Sequence, residues 1–150
     1  MVSYKPKFYI NAVSLYRFYS LPIIRRIPLL SKILEGLNYL IFNCSIPASV
    51  VIGKGTYFSH RGMSVVIHKN SKIGENCVIG TCVTLGGKGK GIEGAPCLGD
   101  RVVISTGAKV LGPVSIGDDT VVGANSVVLK DVPSGMTAVG IPATIIEGKK

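Results

Sequence analysis

The chain is short of the residues from which many catalytic centres are assembled. Its 150 residues include two histidines and eight acidic side chains. A three-histidine zinc site is therefore excluded by count, and no metal is expected. The four cysteines, Cys44, Cys77, Cys82 and Cys97, show no CxxC spacing. They read as free thiols in a reducing compartment, with Cys77 as a small buried hydrophobe, rather than as disulfides or metal ligands. No GxSxG, HExxH or P-loop element is present. The longest apolar stretch, Leu29 to Phe42, is broken by Lys32, Glu35 and Asn38 and is too short to span a bilayer. The opening MVSYKPKFY is basic, but no apolar run with a small-residue cleavage site follows. No signal peptide is expected, and the location expected is cytoplasmic.

Acids are outnumbered by 17 Lys and Arg, giving a net charge of +9. Residues 1–43 hold Lys5, Lys7, Arg17, Arg25, Arg26 and Lys32 against Glu35 alone, a balance of +5. Such a surplus suits nucleic acid, anionic lipid or a phosphate-bearing cofactor. No nucleic-acid-binding motif accompanies it, and no nucleic-acid partner is expected.

What the chain does contain is a six-residue period. Ile46, Ile52 and Phe58 open it, Ile67, Ile73, Ile79 and Leu85 continue it, and Leu98, Ile104, Val110, Ile116, Val122 and Val128 complete it. Glycine follows the aliphatic at Gly53, Gly74, Gly80, Gly86, Gly99, Gly117 and Gly123. Small or branched residues recur four places after it, from Thr56 to Val132. Neither a 3.6-residue nor a 2-residue period fits, and a hexad is the mark of a parallel β-helix. Each aliphatic should point inward, each small residue should fill a corner, and the glycines should relax strained turns. The fold class expected is mainly β, with residues 44–150 as the coil and residues 1–43 as a short α-helical segment.

Within that segment, Ile27, Leu30, Leu34, Leu37 and Ile41 recur at helical spacing. They predict a helix from about Leu29 to Phe42, with Pro28 near its start. A shorter helix is expected around Asn11 to Tyr19, ended by Leu21-Pro22. Two roles suit these helices: capping the first coil or packing at a subunit contact, or touching a membrane through a basic amphipathic surface. After Val128 the segment LKDVPSGMTAVGIPATII should cap the far end.

The hexad is interrupted twice. Between Phe58 and Ile67 three extra residues bring in Ser59, His60, Arg61, Gly62 and Met63. Between Leu85 and Leu98 the extended loop 86–97 reads GGKGKGIEGAPC. Its lysines and exposed backbone amides suit phosphates. His68 follows a core aliphatic and reads as structural. His60 lies in an insertion, where a neutral imidazole can act as general base.

The stretches IGKGTYFSH, VVIHKNSKIGENCVIGTCVTLGGKGK and VVISTGAKVLGPVSIGDDTVVGANSVVLKDVPSGMTAVGIPATII resemble the hexapeptide-repeat acyltransferases. The likeness runs from about Ile46 to Ile146. It is nearest to the serine acetyltransferase branch and its relatives in polysaccharide biosynthesis. The resemblance implies a left-handed coil, a homotrimer with active sites between subunits, and direct acetyl transfer from acetyl-CoA to a hydroxyl. By position, His60 matches the catalytic histidine. Thr106, Gly107 and Ala124 match the course of the pantetheine arm. Gly86 and Gly87 are expected to supply the oxyanion donor, and Lys88, Lys90 and Lys130 to meet the CoA phosphates.

Two departures from serine acetyltransferases stand out: Ser45 replaces an Asp that orients the histidine, and Ala95 replaces a substrate-binding His before Pro96. Ser45 and Arg61 are the positions expected to face the acceptor. The long helical domain ahead of the coil is expected to be replaced by the N-terminal segment. Losing polar anchors weakens recognition of an amino acid. The expected acceptor is therefore a sugar hydroxyl in surface-polysaccharide assembly, small or lipid-linked, with possible peripheral contact at the inner membrane. The alternatives are a serine O-acetyltransferase and a non-catalytic trimeric scaffold.

Overall fold

The computed structural model describes residues 11–89, 91 and 93–148. Among the positions singled out above, Lys5, Lys7 and Lys90 lie outside them. The hexads form a triangular coil of about four turns. The first turn supplies β1 (Val51–Ile52), β2 (Tyr57–Phe58) and β3 (Val66–Ile67), and the second β4 (Lys72–Ile73), β5 (Val78–Ile79) and β6 (Thr84–Gly86). The third supplies β7 (Cys97–Leu98), β8 (Val103–Ile104) and β9 (Lys109–Leu111), and the fourth β10 (Ser115–Ile116), β11 (Val121–Val122) and β12 (Val127–Val128).

Each face is a parallel sheet stacked along the axis. Face one runs β1-β4-β7-β10, face two β2-β5-β8-β11, and face three β3-β6-β9-β12. Ser45 extends face three by a parallel bridge to Val66. All thirteen inward hexad residues, twelve aliphatics and Phe58, are buried, none more than 9% exposed, and so are the small corner residues from Thr56 to Val132. One inward side chain per hexad thus builds a one-dimensional core.

The glycines play a different part from the one expected. None of those that follow the aliphatics has a positive φ. A Cβ on Gly74 would run into the Gly99 carbonyl of the next turn, and one on Gly117 would meet the Ser134 amide nitrogen. Adjacent turns stack at the strand spacing of a sheet, and at this corner only a hydrogen atom fits between them. Left-handed backbone falls two places later instead, at Asn76 (φ 53), Arg101 (φ 56) and Asp119 (φ 57).

An uninterrupted turn takes 18 residues, from Val103 to its partner Val121. The turn that holds His60 takes 21, from Val51 to Lys72, and the one that holds the extended loop takes 25, from Lys72 to Cys97. The far end of face two is closed by a hairpin, β13 (Thr137–Gly140) and β14 (Ala143–Ile146). β13 pairs parallel with β11, and β14 turns back antiparallel.

At the near end lie α1 (Ala12–Tyr19), α2 (Pro22–Arg25) and α3 (Pro28–Phe42). α1 and α3 follow the expected spans, and the short α2 was not foreseen. Asn11 caps α1 by accepting from the Ser14 amide at 2.9 Å, and Pro28 opens α3. The helices hold the first turn by hydrogen bonds. Tyr16 and Tyr19 donate to the carbonyls of Val50 and Ile46, at 2.5 and 2.6 Å. Arg17 donates to the Gly53 carbonyl at 2.9 Å, and Glu35 accepts from the Ala48 amide at 2.6 Å. Asn38, fully buried, donates to the Tyr19 hydroxyl at 3.0 Å.

The face that α3 turns inward differs from the apolar stripe in the sequence. Ser31, Asn38 and Phe42 are buried, whereas Ile27, Leu37 and Ile41 are exposed. Its inner side carries Asn38, bonded to α1, and Glu35, bonded to Ala48 of the coil, beside Leu34 and Phe42.

Candidate active site

The three edges of the coil carry different chemistry. Between faces one and two the corners are acidic. Asp100 and Asp118 accept the backbone amides of Glu75 and Asp100, each at 2.8 Å, and Arg101 pairs with Asp119 at 2.7 Å. The Arg101 guanidinium holds the Asp119 carboxyl below its ordinary range.

Between faces two and three lies the edge of His60. Its corner residues Asn43, Ser64, Cys82, Gly107 and Asn125 stand one above another, three places before a core aliphatic, all with positive φ. The turn Ser59–Gly62 bulges out just before Ser64, with His60 and Arg61 themselves left-handed, at φ 48 and 65. Gly62 (φ 86) makes this bulge possible. A Cβ there would sit 3.1 Å from the Ala12 side chain and 3.4 Å from the Cys44 sulfur, so α1 seats the turn from below. The His60 ring is exposed, and among the described residues none hydrogen bonds to it.

Above it the edge rises through Thr81, Thr106 and Ala124. The Cys82 amide donates to the Met63 carbonyl, the Gly107 amide to Thr81, and the Asn125 amide to Thr106, at 2.8 to 3.0 Å. The structure therefore brings His60, Arg61, Thr106, Gly107 and Ala124 onto one edge. Ser45 is half-buried on face three. Its backbone pairs with Val65 and Ile67, and its side chain does not bond the His60 ring.

Thr81 and Lys109 of this edge were not singled out from the sequence. Thr81 donates to the Thr106 hydroxyl at 3.4 Å. Lys109 reaches across two turns and donates to the carbonyls of Cys82 and Gly107, at 2.6 and 3.0 Å. Lys109 precedes a core valine, a position that reads as ordinary surface in any hexad.

The third edge, between faces three and one, carries the extended loop. Gly86 ends β6 and accepts from the Gly112 amide at 2.9 Å, and the Lys88 side chain lies over Gly112. Gly87, Gly89, Glu93 and Gly94 face His68, Lys69 and Asn70 across a cavity of about 690 Å³. The Asn70 amide donates to His68 Nδ1 at 3.3 Å, so in the neutral ring Nε2 carries the proton. Lys130 lies on this edge two turns on, beside a cavity of about 270 Å³ under the closing hairpin.

The expected site residues thus divide between two edges. His60, Thr106, Gly107 and Ala124 share one, and Gly86, Gly87, Lys88 and Lys130 share the other. Among the described residues no group of three His, Cys, Asp or Glu could hold a metal ion.

The model of the bacterial transferase hexapeptide, six repeats, matches residues 98–130. The serine acetyltransferase of Helicobacter pylori (strain 26695) is 43% identical over 139 residues, covering 91% of this chain and 80% of that one. The chain belongs to the serine acetyltransferase-like branch of the hexapeptide-repeat transferases. It spans between 45% and 59% of the length of six other curated serine acetyltransferases. A soybean serine acetyltransferase solved with serine superposes with a TM-score of 0.83 at 39% identity, covering 90% of this chain and 56% of that one. A serine acetyltransferase solved with CoA gives a TM-score of 0.81 at 33% identity, covering 90% and 55%. The coil is the left-handed β-helix of this family.

These relatives correct one expectation. A sugar acceptor in surface-polysaccharide assembly was inferred from Ser45 and Ala95, yet relatives at 40–50% identity are named serine acetyltransferases. Two exchanged anchors bear on how an acceptor is gripped, and they do not specify a different one.

Proposed function

We propose that this chain is an acetyl-CoA-dependent O-acetyltransferase that acetylates the hydroxyl of serine. The observation that carries the reading is the edge on which His60 protrudes at the foot of Thr106, Gly107 and Ala124. A pantetheine arm laid along those corners meets backbone at every turn and delivers its thioester toward the imidazole. His60 takes the proton of the serine hydroxyl as that oxygen attacks the thioester carbonyl carbon. The tetrahedral oxyanion collapses, the C–S bond breaks, and the imidazolium returns the proton to the CoA thiolate. Donors preorganised at the oxyanion stabilise this step, and the Gly86-Gly87 amides suit it.

Those amides lie on the other edge, so one chain does not complete the site. A homotrimer that sets the loop edge of one subunit against the His60 edge of the next resolves this, with Lys88, Lys90 and Lys130 toward the CoA phosphates. The loop cavity then brings Lys69 and Glu93, one charge of each sign, which suits the carboxylate and ammonium of an amino acid. Residues 44–150 form the catalytic coil in this reading and residues 1–43 its helical cap. An acetyl-CoA donor suits a cytoplasmic location.

The test is release of CoA thiol from acetyl-CoA with L-serine as acceptor, in the wild type and in His60→Ala. The expected result is turnover on serine, lowered by about two to four orders of magnitude in the variant, with an unchanged circular dichroism spectrum. Wild-type silence on serine refutes the substrate, and near-normal rates in His60→Ala refute the base.

A further inference from the structure

α1 buries its apolar side in the ordinary way, but α3 is apolar on its outer face as well as at Leu34 and Phe42 on its inner one. α3 turns Ser31, Asn38 and the Glu35 carboxylate toward the coil and α1, and turns Leu29, Ile33, Leu37, Leu40 and Ile41 to solvent. Leu29 is 72% exposed and Leu40 is 79% exposed. α2, packed beside it, adds Ile23 at 70% and, at its end, Ile27. Among the described residues, ten of the eighteen exposed large hydrophobic side chains fall between Phe18 and Ile41. A continuous apolar helix face on a folded protein is where something else binds.

Charge decides what. The exposed cations of this cap are Arg17, Arg25, Arg26 and Lys32, and Arg17 is engaged with the coil. Its one acid among the described residues, Glu35, is half-buried and points to Ala48. A second copy of the same face would bring like charge against like charge, with no acid to relieve it. A phosphate-rich surface over hydrocarbon satisfies both properties at once. We propose that α2 and the outer face of α3 seat on an anionic lipid surface. The leucines and isoleucines enter the headgroup boundary, and Arg25, Arg26 and Lys32 meet lipid phosphates. The contact is peripheral, since among the described residues no helix is long and apolar enough to cross a membrane. It rests on the cap alone and stands whether or not serine is the acceptor.

The experiment is sedimentation of the full chain with vesicles of phosphatidylcholine alone and of phosphatidylcholine with phosphatidylglycerol. Expected is binding to the anionic vesicles on the order of a hundredfold tighter, since each of three cations contributes near the surface. High salt should weaken it as screening shortens the reach of the charges. Leu29→Ser with Leu40→Ser should release the protein while its spectrum and acetyltransferase rate stay unchanged, and Arg25→Glu with Arg26→Glu should do the same. Equal binding to both vesicle types, or none to either, overturns the proposal. So does light scattering in which Leu40→Glu halves the mass of the assembly, for then a second copy covers the face.

Discussion

Cys44 shows how a single side chain couples the helical cap to pH. It lies in the core against Gly62, and burial pushes its thiol up to about 12 from an ordinary 9.0. Between those values only the unfolded chain has released the proton, so stability falls as pH rises through that window and is fully present below it. Tyr19, raised by burial as well, acts in the same direction at higher pH. We expect the urea midpoint to decline above about pH 9, and Cys44→Ala to flatten part of that slope. An equal slope in the variant would remove Cys44 as the cause. Gly62 beside it holds the His60 turn against α1, so the residue proposed as base is positioned by packing beneath it rather than by a bond to its ring.

Among the secondary-structure elements, the coil and the helices obey different rules, and their glycines separate them. Gly74 has backbone of the next turn where a side chain would go, whereas Gly36 on α3 has open space. Gly74→Ala should cost about 1–3 kcal/mol, as overpacked sites do. Gly36→Ala should stabilise by roughly 0.5–1 kcal/mol, because a helix loses less entropy with alanine. Urea unfolding of the two variants side by side checks both signs. The coil was legible in the sequence because one aliphatic per hexad, such as Ile104 or Val122, decides what points inward. The ends of α1 and α3 were legible from Asn11, Leu21-Pro22 and Pro28. The inward face of α3 was not. Its apolar spacing fits more than one stripe, and its inner side carries Asn38 and Glu35, whose long-range bonds no local pattern contains.

At the scale of the molecule, the division of expected site residues between two edges makes subunit mixing informative. A His60→Ala chain and a chain with a shortened 88–94 loop are each expected to be inactive alone. Co-expressed, they should recover about a quarter of wild-type activity, the random share of interfaces that pair an intact His60 edge with an intact loop in a cyclic trimer. No recovery would place the whole site within one chain. That His60 stands out from the coil was legible in the sequence because it sits in an insertion. The partition of edges was harder to see, because assigning an edge means counting hexads in threes, and the two insertions break that count.

Stacking also sets how such a chain can reach its native state. Every strand of the coil finds its partners one turn away, as Val103 lies 18 places from Val121, and none waits for a distant segment. Ordering can therefore begin on one completed turn and advance by accretion, each new turn templated by the one below. The longest closure in that zippering is the 25-residue turn, which must gather the glycine-rich loop before Leu98 can land on Ile73.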